Sequence, residues 1–191
     1  VLLIIPGPTI LLVIGDALAH RGRSAYATVA GVAAGDLTAF TLSMVGLGAV
    51  LAASATLFTA LKWAGAAYLV YLGVQALRTA GAARSSEMAP QAGTGSQRFA
   101  KAWLVTALNP KSIVFFVAFV PQFIDAKLAF WPQAIVLIPT FVVLATANAM
   151  VYAMLARSLA TRLTSRRAQA NVQRAGGLTL IGAGALIATR A

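Results

Sequence analysis

The residues of this chain that could take part in chemistry are few, and most of them stand alone inside long uncharged runs. Asp36 is the only charged residue between positions 24 and 61. Placing an aspartate at the centre of a membrane helix costs about 2.5–3.5 kcal/mol, and a low dielectric favours the neutral carboxyl over the carboxylate. Asp36 is therefore a candidate to carry a proton or to bind an ammonium group. The simpler alternative is a structural carboxyl that pairs with Lys111 or with opened backbone.

Two proline motifs interrupt the apolar runs, Pro6-Gly7-Pro8 near the start and Asn109-Pro110-Lys111 in the second half. Proline has no N–H, and its ring clashes with the carbonyl group four residues earlier. Unpartnered backbone groups are expensive in hydrocarbon, so a substrate, an ion or a wet cavity is needed to satisfy them. Both motifs are predicted to lie on a substrate or ion pathway, against the alternative of kinks that only shape packing. Lys111 either faces that pathway or extends to a water interface.

Five further polar side chains lie in or beside the apolar runs. A buried amide must find hydrogen-bond partners, so Asn148 either lines a cavity or joins helices. Tyr68 and Tyr71 are predicted to line the pathway, although tyrosines also belong to packed cores and interfacial belts. Lys62 and Gln122 are possible gating residues. Their alternatives are a lysine that extends to the interface and a cap in a turn.

The composition excludes several classes of protein. The 191 residues are 60% hydrophobic and only 10% charged, whereas a soluble domain is roughly half apolar and a quarter charged. A soluble enzyme, a nucleic-acid-binding module and a disordered tail are therefore excluded, despite the net charge of +11. The chain has no cysteine and one histidine, His20. We predict neither a metal site nor a cofactor, and the absence of a Walker A motif argues against ATP-driven transport.

Six apolar runs are long enough to cross a bilayer, which takes about 20 residues each. Residues 79–100 are rich in Gly, Ser, Ala and Gln and are interpreted as a flexible linker. We predict an all-α integral membrane protein with two three-helix halves at 1–78 and 101–191. The first run begins without Met or a polar flank, so we expect it to lack N-terminal turns. The six predicted spans cover approximately 1–19, a segment within 24–61, 58–77, 102–123, 128–156 and 175–189.

The basic residues predict the orientation. Eleven lysines and arginines fall in the loops after the first, third and fifth spans, and three fall on the opposite side. Cytoplasmic loops carry such an excess, so we place both termini outside and the linker in the cytoplasm. The basic loop at 157–174 is expected to meet anionic lipid. Asp16, close to the first basic loop, is interpreted as solvated.

The two halves share features that indicate an internal repeat. Each has a proline motif in its first span, and the spacing Ala-Gly, Leu, Gly at 64–73 recurs at 175–184. Because each half has an odd number of spans, the two halves would be inverted. Inverted repeats with interrupted helices in corresponding positions point to the binding site of a transporter. The glycines are expected to permit close helix approach.

Several strings resemble the LysE/RhtB family of amino-acid exporters, and most closely its homoserine/threonine and neutral amino-acid branch. They are LKWAGAAYLVYLG at 61–73, NPKSIVFF at 109–116, PQF at 121–123 and the proline motif at 6–8. The resemblance implies six spans, export of amino acids from the bacterial cytoplasm across the inner membrane, and drive by the proton gradient. It also implies that the chain works as an oligomer, often a dimer.

We therefore expect a transporter rather than an enzyme, with an amino-acid substrate, protons and membrane lipids as its partners. Threonine, homoserine or its lactone, or another neutral amino acid would bind as a zwitterion in a cavity near the middle of the membrane. Its carboxylate would face half-helix N-termini and Lys111, and its ammonium group would face freed carbonyls and Asp36. One alternative is a passive channel. The other is an aspartyl intramembrane protease, which needs Gly-x-Gly-Asp and a second deep aspartate; the chain reads AAGD at 33–36.

Overall fold

The computed structural model describes residues 8–19, 25–80, 93–156 and 166–190. All regular structure in these ranges is helical, as predicted. A 3-10 turn, Val120–Phe123, follows the fifth helix. The helices are α1 (Pro8–Ala19), α2 (Ala25–Ala53), α3 (Ala55–Arg78), α4 (Gly95–Ala107), α5 (Pro110–Phe119), α6 (Phe130–Met154) and α7 (Arg166–Arg190).

Local capping decides where α3 and α4 begin. Ser54 alone separates α2 from α3, and its hydroxyl accepts the N–H of Leu57 at 3.1 Å. Thr94 forms a reciprocal capping box with Gln97, in which each side chain accepts the other residue's backbone N–H. Such a box satisfies two N–H groups of a first helical turn. As a result, α4 begins inside the segment that we interpreted as a linker.

The last helix also begins earlier than the sequence analysis predicts. We expected a basic loop to continue to Arg174, but α7 already begins at Arg166. The predicted boundary was wrong because arginine, alanine and glutamine are good helix formers, and no glycine or proline interrupts 166–175. The run of positive charge therefore precedes the apolar span but does not interrupt the helix.

Three of the described helices, α2, α3 and α6, are long and apolar enough to cross a membrane. Residues 95–107 and 112–123 pass the same test together as one span bent by 46°. The apolar α1 is shorter, with 12 residues. By length and composition the described residues thus supply three spans, or four with the bent pair, and the count of six stays a prediction.

The helices pack around α2, which runs along α4 and α6, while α3 runs along α5 and α7. An aromatic group fills one core, where the ring of Phe116 lies 4.8 Å from that of Phe40 and 4.9 Å from that of Phe141. A second core joins α1, α2, α4 and α6 through small and branched side chains such as Val13 and Ala149. These two cores hold the helices in fixed register.

Glycines bring α2 close to α4, and α3 close to both α5 and α7. A Cβ placed on Gly35 would lie 2.6 Å from the Cβ of Thr106, which sets the distance between α2 and α4. A Cβ on Gly73 would lie 2.6 Å from the carbonyl oxygen of Gly177, and the reverse distance is 2.7 Å. The predicted close approach of glycine-bearing helices is confirmed for α3 and α7.

The bundle has two chemically different ends. At one of them α1 ends and α2 and α4 begin, and the contact of Gly73 with Gly177 brings the start of α7 to the same end. We call it the basic end, because Arg78, Arg98 and Lys101 lie near it. At the opposite end, a cleft of about 470 Å³ lies between the end of α2 and Trp131 of α6.

Candidate functional site

The clearest feature of the site is a break between α4 and α5. Asn109 lies in the break, donates its N–H to the carbonyl of Thr106 at 3.2 Å, and accepts the N–H groups of Ser112 at 3.0 Å and Ile113 at 3.1 Å. Pro110 is the first residue of α5, a position where its missing N–H breaks no hydrogen bond. The interruption that the motif at 109–111 predicts is therefore present in the chain.

The other proline motif is only partly covered by the structure. Pro6 and Gly7 lie outside the described residues, and α1 begins at Pro8. Lys111 is in the first turn of α5. The predicted roles of these residues stay predictions.

An open cavity of about 370 Å³ lies beside the break, between α2, α3, α4 and α5, and one of its lining residues, Leu42, is 66% exposed. Ser43 contributes a hydroxyl to it, and that hydroxyl donates to the carbonyl of Ala39 at 2.8 Å. The other lining side chains are apolar or small, and none of them is charged. The residues that line it include Ala39, Ser43, Gly46, Leu47, Leu61, Ala107, Ile113 and Val117.

Asp36 lies one helical turn before the start of this cavity. Its side chain is buried, with 9% of its surface exposed. In the part of the chain that the structure describes, no hydrogen bond or ion pair joins Asp36 to another residue. The neighbouring Gly35 touches Thr106, three residues before Asn109. A buried carboxyl thus lies one position from the contact between α2 and α4, and its predicted role stays a prediction.

Thr106 is a polar residue of this region that the sequence analysis missed. It is 1% exposed, and its hydroxyl has no hydrogen-bond partner among the described residues. By contrast, the hydroxyls of Thr38 and Thr140 donate to the carbonyl four residues earlier, as such side chains do in helices. The buried hydroxyl of Thr106 therefore adds an unused donor and acceptor beside the cavity wall at Ala107.

Asn148 lies on the face of α6 that packs against α2. Phe141 stacks on Phe40 with ring centroids 4.9 Å apart, and the two helices run in opposite directions. Asn148 follows Phe141 by about two turns, and Asp36 precedes Phe40 by about one. Asn148 and Asp36 therefore lie within about one helical turn of each other along the bundle axis. The half-buried Asn148 has an interaction partner. Its predicted place on the pathway is untested.

Lys62 and Gln122 lie at one level near the opposite end. Gly65 of α3 packs against Ala118 of α5, and α3 and α5 run antiparallel. Lys62 precedes Gly65 by about one turn and Gln122 follows Ala118 by about one turn. Both side chains are half-buried. The amide nitrogen of Gln122 has no hydrogen-bond partner among the described residues.

The two tyrosines of α3 lie side by side, with ring centroids 5.8 Å apart. Tyr71 is 57% exposed and Tyr68 is half-buried. Neither lines the cavity beside the helix break. A role for them on the pathway stays a prediction without further support from the cavity.

A buried ion pair lies at the basic end. Asp16 is fully buried and accepts a hydrogen bond from the hydroxyl of Thr28 at 2.6 Å. The Nη1 atom of Arg98 lies 3.7 Å from Oδ1 of Asp16. Our interpretation of Asp16 as solvated was therefore wrong. Its environment depends on α4, which brings Arg98 to it from a distant part of the chain.

No group of three or more His, Cys, Asp or Glu side chains in the described ranges could hold a metal ion. In these ranges the buried carboxyls are those of Asp16 and Asp36.

Comparison with known proteins gives a consistent result. The profile of the family described as "LysE type translocator" matches residues 1–191. The chain is 35% identical over 184 residues to the homoserine/homoserine lactone efflux protein of Salmonella typhimurium, which covers 96% of this chain and 89% of that protein. It is 34% identical, with the same coverage, to an uncharacterized membrane protein of Vibrio cholerae.

A more distant relative is the leucine efflux protein of Klebsiella pneumoniae, which is 29% identical over 126 residues, or 66% of this chain and 59% of that protein. No solved structure matches the chain. Two of these relatives are thus named as efflux proteins, and their names give different amino acids.

Proposed function

Because this chain belongs to the LysE family of translocators, we propose that it exports a small neutral amino acid, or the lactone of one, by proton antiport. Homoserine, its lactone, threonine and leucine are the first compounds to test. The observation that carries the proposal is the cavity of about 370 Å³ beside the break between α4 and α5. It combines a space for a small molecule with an opened helix.

The size and lining of the cavity favour a neutral substrate. Small-molecule pockets range over roughly 300–1,000 Å³, so this one is at the small end. Ser43 is the polar side chain of its lining, and none of the lining residues is charged. A charged substrate side chain would lose its hydration there without gaining a partner. Basic and acidic amino acids should therefore be poor substrates.

The two helix ends at the break would bind the zwitterionic part of the substrate. The N-terminus of α5 presents the positive end of a helix dipole, which attracts a carboxylate. Lys111 is in the first turn of α5, and its predicted place on the pathway is part of the proposal. The C-terminus of α4 presents carbonyls, which attract an ammonium group. One break thus offers complementary partners for both charges of an amino acid.

Asp36 is the proposed proton carrier. Its buried carboxyl has no ion-pair partner in the described ranges, so its charge state is free to change with the proton supply. A charge that crosses 100 mV releases about 2.3 kcal/mol, and a tenfold concentration ratio costs about 1.4 kcal/mol. One proton per substrate could then sustain roughly a 40-fold gradient.

The basic end would face the cytoplasm, by the excess of arginine and lysine that cytoplasmic loops carry. Both termini would then lie outside the inner membrane. The contacts of α2 with α6 and of α3 with α7 support a proposed inverted repeat, in which these helices would correspond and the site would lie at the interface. A dimer, as the sequence resemblance implies, remains part of the proposal.

Filling the cavity tests the proposal. A Cβ on Gly46, which lines the cavity, meets no atom within 4 Å, and the same is true of Gly182 on α7, which does not line it. Gly46→Trp should abolish counterflow of labelled homoserine, threonine and leucine in proteoliposomes. Gly182→Trp, as the matched control, should leave counterflow within about twofold of the unsubstituted protein, as expected for an exposed position.

Three outcomes would count against this function. Equal transport by Gly46→Trp and the unsubstituted protein would remove the cavity from the pathway. Flux that does not saturate with substrate would identify a channel. Counterflow without any substrate-dependent proton movement would reject antiport.

A further inference from the structure

The ion pair at the basic end lies between the cavity and that end of the bundle. We propose that Asp16 and Arg98 form a gate, closed in this structure, which must open for a substrate to reach the cavity from the basic end. This inference rests on the proposed function, since a gate has meaning only in a transporter. Thr28 is a positioning residue, because its hydroxyl fixes one oxygen of Asp16.

The position of the pair fits a closed gate. Asp16, Thr28 and Arg98 come from α1, α2 and α4, the helices that meet at the basic end. Thr28 precedes Ala39, the first cavity residue on α2, by 11 positions, which is about 16 Å along the helix. The cavity and the pair are thus arranged in series along α2.

An apolar layer makes the closure tight. Asp16 is fully buried, and 9% of Arg98 is exposed. Side chains from α1, α2, α4 and α6, among them Val13, Val29 and Ala102, pack into one core at this level. This layer is the proposed barrier to water and substrate while α1 and α4 are held together.

The geometry of the pair also suits a contact that must break. A hydrogen-bonded charge pair has N···O distances of about 2.7–2.9 Å, whereas Nη1 of Arg98 lies 3.7 Å from Oδ1 of Asp16. The Nε atom of Arg98 is buried without a hydrogen-bond partner among the described residues. A buried pair of this quality barely offsets its loss of hydration. Rehydration during opening can therefore compensate for separating the two charges.

The absence of cysteine from the chain allows a direct test. Gly46→Cys places a thiol in the cavity, where a Cβ meets no atom within 4 Å. A membrane-impermeant thiol reagent is applied to right-side-out and inside-out vesicles, so that each face is probed separately. In the otherwise unsubstituted protein, labelling should be slower from the face that holds the basic end.

Breaking the pair should open that face selectively. Asp16→Asn or Arg98→Gln removes one charge of the buried pair, so labelling from the basic end should rise at least about tenfold. The double reversal Asp16→Arg with Arg98→Asp should return labelling to within about twofold of the starting rate. Thr28→Val should raise the labelling rate less than the two single variants do, because this substitution keeps the pair of Asp16 and Arg98. Asp125→Asn, at an exposed site of the opposite end, is the matched control and should change nothing.

Two results would overturn the gate. One is unchanged labelling in both single variants. The other is an equal rise from both faces, which would indicate a loosened fold. The labelling needs no substrate, so face-selective opening without amino-acid transport would leave the gate standing and remove the proposed substrate. If transport continues and labelling is unchanged in the variants, the proposed substrate stands and the gate is rejected.

Discussion

Replacing Gly35 by alanine should force α2 away from α4 at the level of the helix break. The added Cβ would lie 2.6 Å from the Cβ of Thr106, 2.8 Å from the carbonyl oxygen of Trp103 and 3.1 Å from the backbone N of Ala107. Carbon atoms in contact prefer about 3.5–4.0 Å, so the shortfall is about 1 Å. Two of the three atoms belong to backbone and cannot rotate away. The helices themselves must separate.

The size of the effect follows from two opposed terms. Overpacking of a well-filled interface costs about 1–3 kcal/mol, while alanine is a better helix former than glycine by about 1 kcal/mol. Gly46→Ala on the same helix gains the second term without the first, since nothing lies within 4 Å of its Cβ. The free energy of unfolding should therefore be about 1–3 kcal/mol lower for Gly35→Ala than for Gly46→Ala.

Denaturant unfolding in mixed micelles measures this difference, and proteoliposome counterflow measures its consequence. Because Gly35 adjoins Asp36 and touches the last turn of α4, we expect Gly35→Ala to slow transport as well, while Gly46→Ala retains most of it. Equal unfolding free energies for the two variants would refute the reasoning. They would mean that α2 and α4 are not in the close contact described here.

Two further substitutions address coupling and packing. Asp36→Asn keeps the size of the side chain but cannot release a proton. Export should therefore lose its dependence on a pH difference across the membrane while substrate exchange continues. An unaltered pH dependence would exclude Asp36 as the proton carrier, and Asp125→Asn is the control. Phe116→Ala removes three aromatic contacts, each contributing about 0.5–1.5 kcal/mol, so the free energy of unfolding in micelles should fall by at least about 1.5 kcal/mol. Tyr71→Ala, at a position that is 57% exposed, should change it by less than about 0.5 kcal/mol.

Features that depend on local chemistry could be predicted from the sequence. The break at Asn109 follows from the following proline, since the missing N–H acts within one turn. The capping box at Thr94 also has a local pattern, Thr-x-x-Gln, which we overlooked because the surrounding composition is typical of a linker. The exposed side of α3 could have been found too. Gly65, Leu69 and Gly73 define its packing face, and Tyr71 lies on the opposite face.

Features that depend on how distant helices meet could not be predicted in this way. The sequence shows Asp16 next to a basic loop, where solvation is the simplest expectation, and nothing near it indicates a partner in α4. Arg98 lies in a segment whose composition is typical of a linker, so nothing local predicts its burial. Thr106 is an ordinary threonine in an apolar run until Gly35 brings α2 against it. In each case the decisive quantity is a distance between helices, which no spacing within one helix determines.

The helix α2 connects the features on which the function depends. Over 29 residues it carries Thr28 in the gate, Gly35 and Asp36 at the contact with the broken helix, and the cavity wall from Ala39 onward. A helix moves largely as a rigid unit, because its hydrogen bonds lie within it. Any tilt that draws Thr28 away from Asp16 must therefore also shift the cavity wall relative to α5. If the gate and the cavity respond together in the labelling experiment, α2 is the element through which closure at one end and opening at the other are coupled.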